Sequence, residues 1–165
     1  MLAAVVFILS SSTASSAAPR HSIGDYAFLI GKWTCTARAN GKTTPYRTAF
    51  SWMYPEHTVI LQSFSGPRGH ASFILTYNAK LDDFRGVFVE SERTGDATVG
   101  AWINPGMQGK GWTEHGYDID ADGFPIASKS TFSNVTKTHY VIRDYLSTPG
   151  KTDQLVQVEV CNKVH

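Results

Sequence analysis

Ten short runs in which apolar and polar residues alternate, each ended by turn-forming residues, follow one another from Lys32 to Cys161. Alternation with a period of two marks a strand with one buried face. Between the runs stand Asn40-Gly41, Ser65-Gly66-Pro67, Thr94-Gly95-Asp96, Asn104-Pro105-Gly106, Asp120-Ala121-Asp122-Gly123 and Pro149-Gly150. Connections this short join antiparallel neighbours, because parallel strands need long crossovers. The pattern predicts strands over 32–39, 44–52, 57–64, 70–77, 84–92, 97–103, 110–118, 126–132, 137–146 and 153–161. One helical turn precedes them, where Ser22 and Asp25 form a Ser-x-x-Asp capping pattern ahead of Tyr26, Leu29 and Ile30. A meander of this many strands leaves two open edges unless its first and last strands pair. An all-β fold, closed into an antiparallel meander barrel, is therefore expected. A two-sheet sandwich is the alternative.

The length of 165 residues suits one domain with one core. The formal net charge is +1, and no basic run or aromatic-interleaved basic patch occurs, which argues against nucleic acid as a partner. Leu2 to Leu9 is purely apolar and small residues follow it to Ala18. That combination, too short to cross a bilayer, predicts a signal peptide over 1–17. The barrel domain would then be 18–165, secreted or periplasmic, with no membrane span in the mature chain. In an oxidising compartment the two cysteines, Cys35 and Cys161, pair as a disulfide, the alternative being two buried thiols. Closure makes their strands neighbours, so the bond would staple the seam. Cys161 shares a strand face with Gln157 and Glu159, so the last strand must either turn polar groups inward or bulge.

Gly31-Lys32-Trp33, which follows the helical turn and opens the first strand, resembles the Gly-x-Trp signature of lipocalin-like (calycin) barrels. From Ile23 to Val164 the order of strands and turns is also similar to a family of exported bacterial proteins of unknown function with lipocalin-like barrels. The resemblance implies that Trp33 plugs one end of the barrel and that the interior is the functional site. More distantly, the chain is similar to the haem-binding nitrobindins, ten-strand barrels that hold iron through a His on a late strand. Here the last strand carries no His, and the nearest is His139 on the strand before it. The Gly-rich extension of that family after the Trp is replaced by Thr34-Cys35-Thr36. No cofactor is therefore expected.

No Gly-x-Ser-x-Gly elbow, His-Glu-x-x-His pair or phosphate-cradling loop is present. The Asp120-Ala121-Asp122-Gly123 turn lacks the later oxygens of a calcium loop, and two distant cysteines make no zinc site, so no metal is expected. What remains are side chains that strand alternation groups together. Tyr46, Phe50 and Trp52 share a face of the second strand, Trp112 and Glu114 a face of the seventh, and His139 and Arg143 a face of the ninth. Tyr46, Phe50, Trp52, Trp112, His139 and Arg143 are the candidate ligand-binding residues, an aromatic wall joined to a cationic end. Such a site would hold a small hydrophobic or amphipathic molecule with a polar or anionic end. Glu90, His115 and His139 are the candidate general acids or bases if the barrel is instead an enzyme of the cyclase or isomerase kind. Extracytoplasmic binding of a small, partly apolar molecule is the leading expectation, and catalysis in the same cavity the alternative.

Overall fold

The computed structural model describes residues 21–67, 69–92, 97–119, 123–148 and 150–164. The expected signal segment 1–17 and most of the turns at 94–96 and 120–123 lie outside the described residues.

The chain enters through a 3-10 helix, Ile23–Leu29. The Ser22 N–H donates to the Asp25 carboxylate at 3.2 Å while the Asp25 N–H donates to the Ser22 carbonyl at 3.0 Å, so the first turn is closed from both sides. Ten strands follow: β1 (Gly31–Ala39), β2 (Lys42–Trp52), β3 (Val59–Ser65), β4 (Gly69–Asn78), β5 (Asp83–Glu92), β6 (Ala97–Asn104), β7 (Trp112–Ile119), β8 (Pro125–Ser133), β9 (His139–Leu146) and β10 (Gln154–Lys163). Each pairs antiparallel with the one before it, and β1 pairs with β10 to close the barrel. A sandwich is excluded, because no edge is left open. Asn40 and Gly41 take φ of 50° and 72°, the left-handed pair that a two-residue hairpin turn needs.

Four strands start later than alternation predicts, β3, β7 and β9 by two residues and β10 by one, and at β7 and β9 the cause is a tight loop. The Gln108 N–H bonds the Gly111 carbonyl at 2.7 Å and the Val135 N–H bonds the Lys110 carbonyl at 3.0 Å, which keeps 110–111 out of β7. The Thr136 N–H bonds the His139 carbonyl at 2.8 Å and turns the chain just before β9. In both places a tight loop outcompetes a run that reads as extended.

The seam is closed covalently. Cys35 and Cys161 stand opposite each other in register, joined by a disulfide with Cα atoms 4.1 Å apart. Both solutions to the register problem occur together. The pairing of β10 with β9 shifts between Leu155 and Gln157, and beyond that bulge Gln157 and Glu159 turn inward with Cys161.

One end of the barrel is capped by the 3-10 helix. Tyr26 is wholly buried, edge-on to Phe84 and Trp112 at ring-centroid distances of 4.6 and 4.9 Å. Its hydroxyl lies 3.0 Å from Asn104 Oδ1, which also accepts the Gly106 N–H at 2.7 Å. Trp33 is buried beneath the helix and donates its indole N–H to the Leu29 carbonyl at 2.7 Å, meeting an acceptor that the end of the helix leaves unused. Among the described residues no helix is long and apolar enough to cross a membrane.

Candidate functional site

The helix closes one end only, and a cavity of about 450 Å³ runs from that plug toward the loops at the other end. Its deep wall is Leu29, Phe50, Ile60, Leu75, Trp112, Phe132 and Ile142, and its mouth is formed by Thr44, Pro67, His70 and Leu146. Gly86 makes room on this surface: a Cβ there would lie 2.1 Å from the ring of Phe73, so only a glycine lets that ring lie across β5. Trp112 is held flat against Phe132, with centroids 4.1 Å apart and planes 11° from parallel.

The charged groups on this wall are carboxylates: Glu90, Glu114, Asp118, Asp144 and Glu159. Among the described residues no Lys or Arg lines it. Glu159 accepts hydrogen bonds from the Tyr46 hydroxyl and the Gln157 amide. Asp144 accepts from Ser130 Oγ at 2.6 Å and from the same Gln157 amide at 3.4 Å. Glu114 accepts the Trp112 indole N–H at 2.8 Å and the Asn104 amide at 3.4 Å. Asp118 accepts from Ser128 Oγ at 3.1 Å, while its Oδ1 faces the Trp102 indole without completing a hydrogen bond.

Neutral donors soften the cost of burying these charges without cancelling it. Burial pushes the Glu114 carboxyl up to about 7, against the pull of the Trp112 and Asn104 donors. Burial, then repulsion from Asp144, raises Glu159 above the usual carboxylate range. Burial likewise raises Asp144 and Asp118.

This arrangement has a consequence for stability. A carboxyl whose pKa is raised by folding favours the folded state below its unfolded value, near 4.5, and loses that contribution as pH rises through about 7. For Glu114 the loss amounts to about 3 kcal/mol. Glu114→Gln keeps an acceptor for the Trp112 N–H but cannot ionise. Urea unfolding across pH 5 to 8 should show the variant gaining on the wild type as pH rises. A stability difference that stays flat with pH would count against a buried, ionising Glu114.

Tyr46, Phe50, Trp112 and Glu90 all line the cavity. Trp52 occupies the inward side of β2 but beyond the cavity, at the plugged end, where it stacks on His57 at 4.9 Å. His139 and Arg143 share one face, as alternation requires, but it is the outer one. His139 Nδ1 lies 2.9 Å from Asn162 Oδ1, and Arg143 Nη1 donates to Ser133 Oγ at 2.9 Å. His115 is exposed on the outer face, in register between Ile103 and Lys129. The cationic end expected from Arg143 is thus absent from the wall, because Tyr140, Ile142 and Asp144 take the inward positions of β9. Asp118, Asp144 and Glu159 were not among the expected site residues. For Glu159 a signal existed: a seam half-cystine on its face of the strand forces it inward.

Among the described residues no three His, Cys, Asp or Glu come together as a metal-ligand set. No family model matches the chain, and no curated protein matches it. The closed ten-strand antiparallel barrel is compatible with a calycin-like fold.

Proposed function

We propose that the protein binds a small, partly apolar molecule inside its barrel, and that it does so outside the cytoplasm. The observation that carries this reading is the cavity: about 450 Å³, walled by aromatic and aliphatic side chains, with a few polar groups converging on it. That size and chemistry are typical of small-ligand sites. The disulfide across the seam and the leader-like residues 1–17 support an oxidising compartment.

Native mass spectrometry of protein purified from its own host, followed by identification of what dissociates, tests the reading directly. Displacement of the neutral fluorophore N-phenyl-1-naphthylamine supplies an affinity. Phe50→Ala should weaken binding by about 1.5–3 kcal/mol, the burial of one such ring. Thr131→Ala, outside the cavity, should leave it unchanged. A protein that carries no ligand and does not bind the fluorophore overturns the proposal.

Acid–base catalysis in the same cavity is the second reading, favoured by a Glu114 carboxyl that burial holds near neutrality. Glu90, also on the wall, is the other candidate there. Recovery of the ligand in a converted form after incubation with fresh protein would decide for it.

A further inference from the structure

We propose that the cavity selects a cationic amphiphile, an apolar body bearing a protonated amine, which it seats against Asp144 and Glu159. This rests on the small-molecule reading above and names the ligand class.

The wall is divided. Phe50, Ile60, Phe73, Leu75 and Phe88, from β2 to β5, make one side apolar. The acidic side comes mainly from β7, β9 and β10. There Gln157, Asp144, Ser130 and Glu114 stand side by side in register across β10, β9, β8 and β7. Asp118 and Glu159 flank that row on the same inward face. An apolar wall facing an acidic one fits a molecule with an apolar body and a positive end. It disfavours the carboxylate end that an inward Arg143 would have welcomed.

The donors these carboxylates already have are hydroxyls, amides and an indole: Ser128, Ser130, Tyr46, Gln157, Asn104 and Trp112. None carries charge. Hydrogen-bonding capacity is also left over. Asp118 Oδ1 has no completed hydrogen bond. The Tyr140 hydroxyl, on a residue only 1% exposed, has no partner either, and it sits in the field of Glu159. Buried polar atoms are rarely left unmet without reason. An ammonium supplies several donors and one positive charge at once, and its hydrogen bonds to carboxylates are charge-assisted. A bare metal ion is the poorer fit, since no set of three ligands converges among the described residues.

The test uses one apolar body with three ends: decylamine, 1-decanol and decanoate, each displacing N-phenyl-1-naphthylamine at pH 7.5. Decylamine should bind at least about tenfold tighter than decanol, as expected for hydrogen bonds to charged groups, and decanoate should bind weakest. The double variant Asp144→Asn, Glu159→Gln, checked for a folded barrel by near-ultraviolet circular dichroism, should lose the preference for decylamine over decanol. If that variant fails to fold, Glu159→Gln alone should still reduce the preference. Arg143→Ala, on the outer face, should keep it. Equal binding of the three probes, or tightest binding of decanoate, overturns cation selection while leaving small-molecule binding intact. If neither the fluorophore nor any probe binds, both readings fall.

Discussion

Replacing Cys35 and Cys161 together by Ala should lower the free energy of unfolding by about 4–5 kcal/mol, the largest single effect expected in this protein. The two residues are 126 apart in sequence, so the bond closes almost the whole barrel into one loop. In the chain-entropy argument the stabilisation grows with the logarithm of loop length, which places this bridge near the top of the range. Packing points the same way, since both half-cystines are buried in the core cluster that holds Trp33, and Tyr46 packs against that cluster. Topology adds to it. The β1–β10 pairing joins the first strand to the last, and contacts of such separation are the ones whose ordering entropy is hardest to recover. Urea unfolding of the double variant at neutral pH measures the loss. A change below about 1 kcal/mol would show that the hydrogen-bond ladder between β1 and β10 closes the barrel unaided. Both residues must be changed together, because a lone thiol would mix oxidation with stability.

Trp33→Ala should cost about 3–5 kcal/mol, the usual range for emptying a buried aromatic site. Trp33 is 1% exposed, packs on Tyr140 at a centroid distance of 4.8 Å, and lies under Lys163, whose ammonium is 5.4 Å from the ring. The Lys163 ammonium also donates to the Phe28 carbonyl at 2.8 Å, so Trp33 sits where the helix, β1 and the end of β10 meet. Packing and hydrogen bonding can be separated. Trp33→Phe keeps most of the ring but gives up the N–H to the Leu29 carbonyl, a loss of about 1 kcal/mol for the bond itself. The remaining difference between the Phe and Ala variants then belongs to burial. Chemical unfolding supplies both numbers, and near-ultraviolet circular dichroism reports whether the aromatic cluster stays ordered. Two variants of equal stability would mean that the indole N–H, rather than its bulk, holds the plug.

The residues that alternation grouped together stayed together. Tyr46 and Phe50 share a wall, Trp112 and Glu114 share a wall, and His139 and Arg143 share a face. The error lay in which face of β9 is the inside. Val141 between His139 and Arg143 is apolar and so is Ile142 on the opposite face, so hydrophobicity gives no vote there. Both are buried, which is why neither distinguishes the two faces even in the folded protein. On β10 alternation leaves inward polar groups and a bulge both open, for a similar reason. Val156, Val158 and Val160 mark one face as apolar, yet beyond the bulge Glu159 faces the cavity because the disulfide holds Cys161 there.

The period of two, the turns and the two cysteines are local chemistry, and they were enough to specify an antiparallel meander, its strand order and its covalent seam. A hairpin turn such as Asn40-Gly41 needs only its own backbone angles, and a strand's two faces are separated by its own pleat. Which face becomes interior is not a property of any one strand. It follows from the direction in which the whole sheet curls and from the registers that let it close. Only the closed barrel placed Asp144, Glu114 and Glu159 on one wall, turned Arg143 and His139 outward, and moved Trp52 beyond the cavity to the plugged end. Neighbours in that wall are brought together from 114 to 159 along the chain, a distance over which local alternation carries no information.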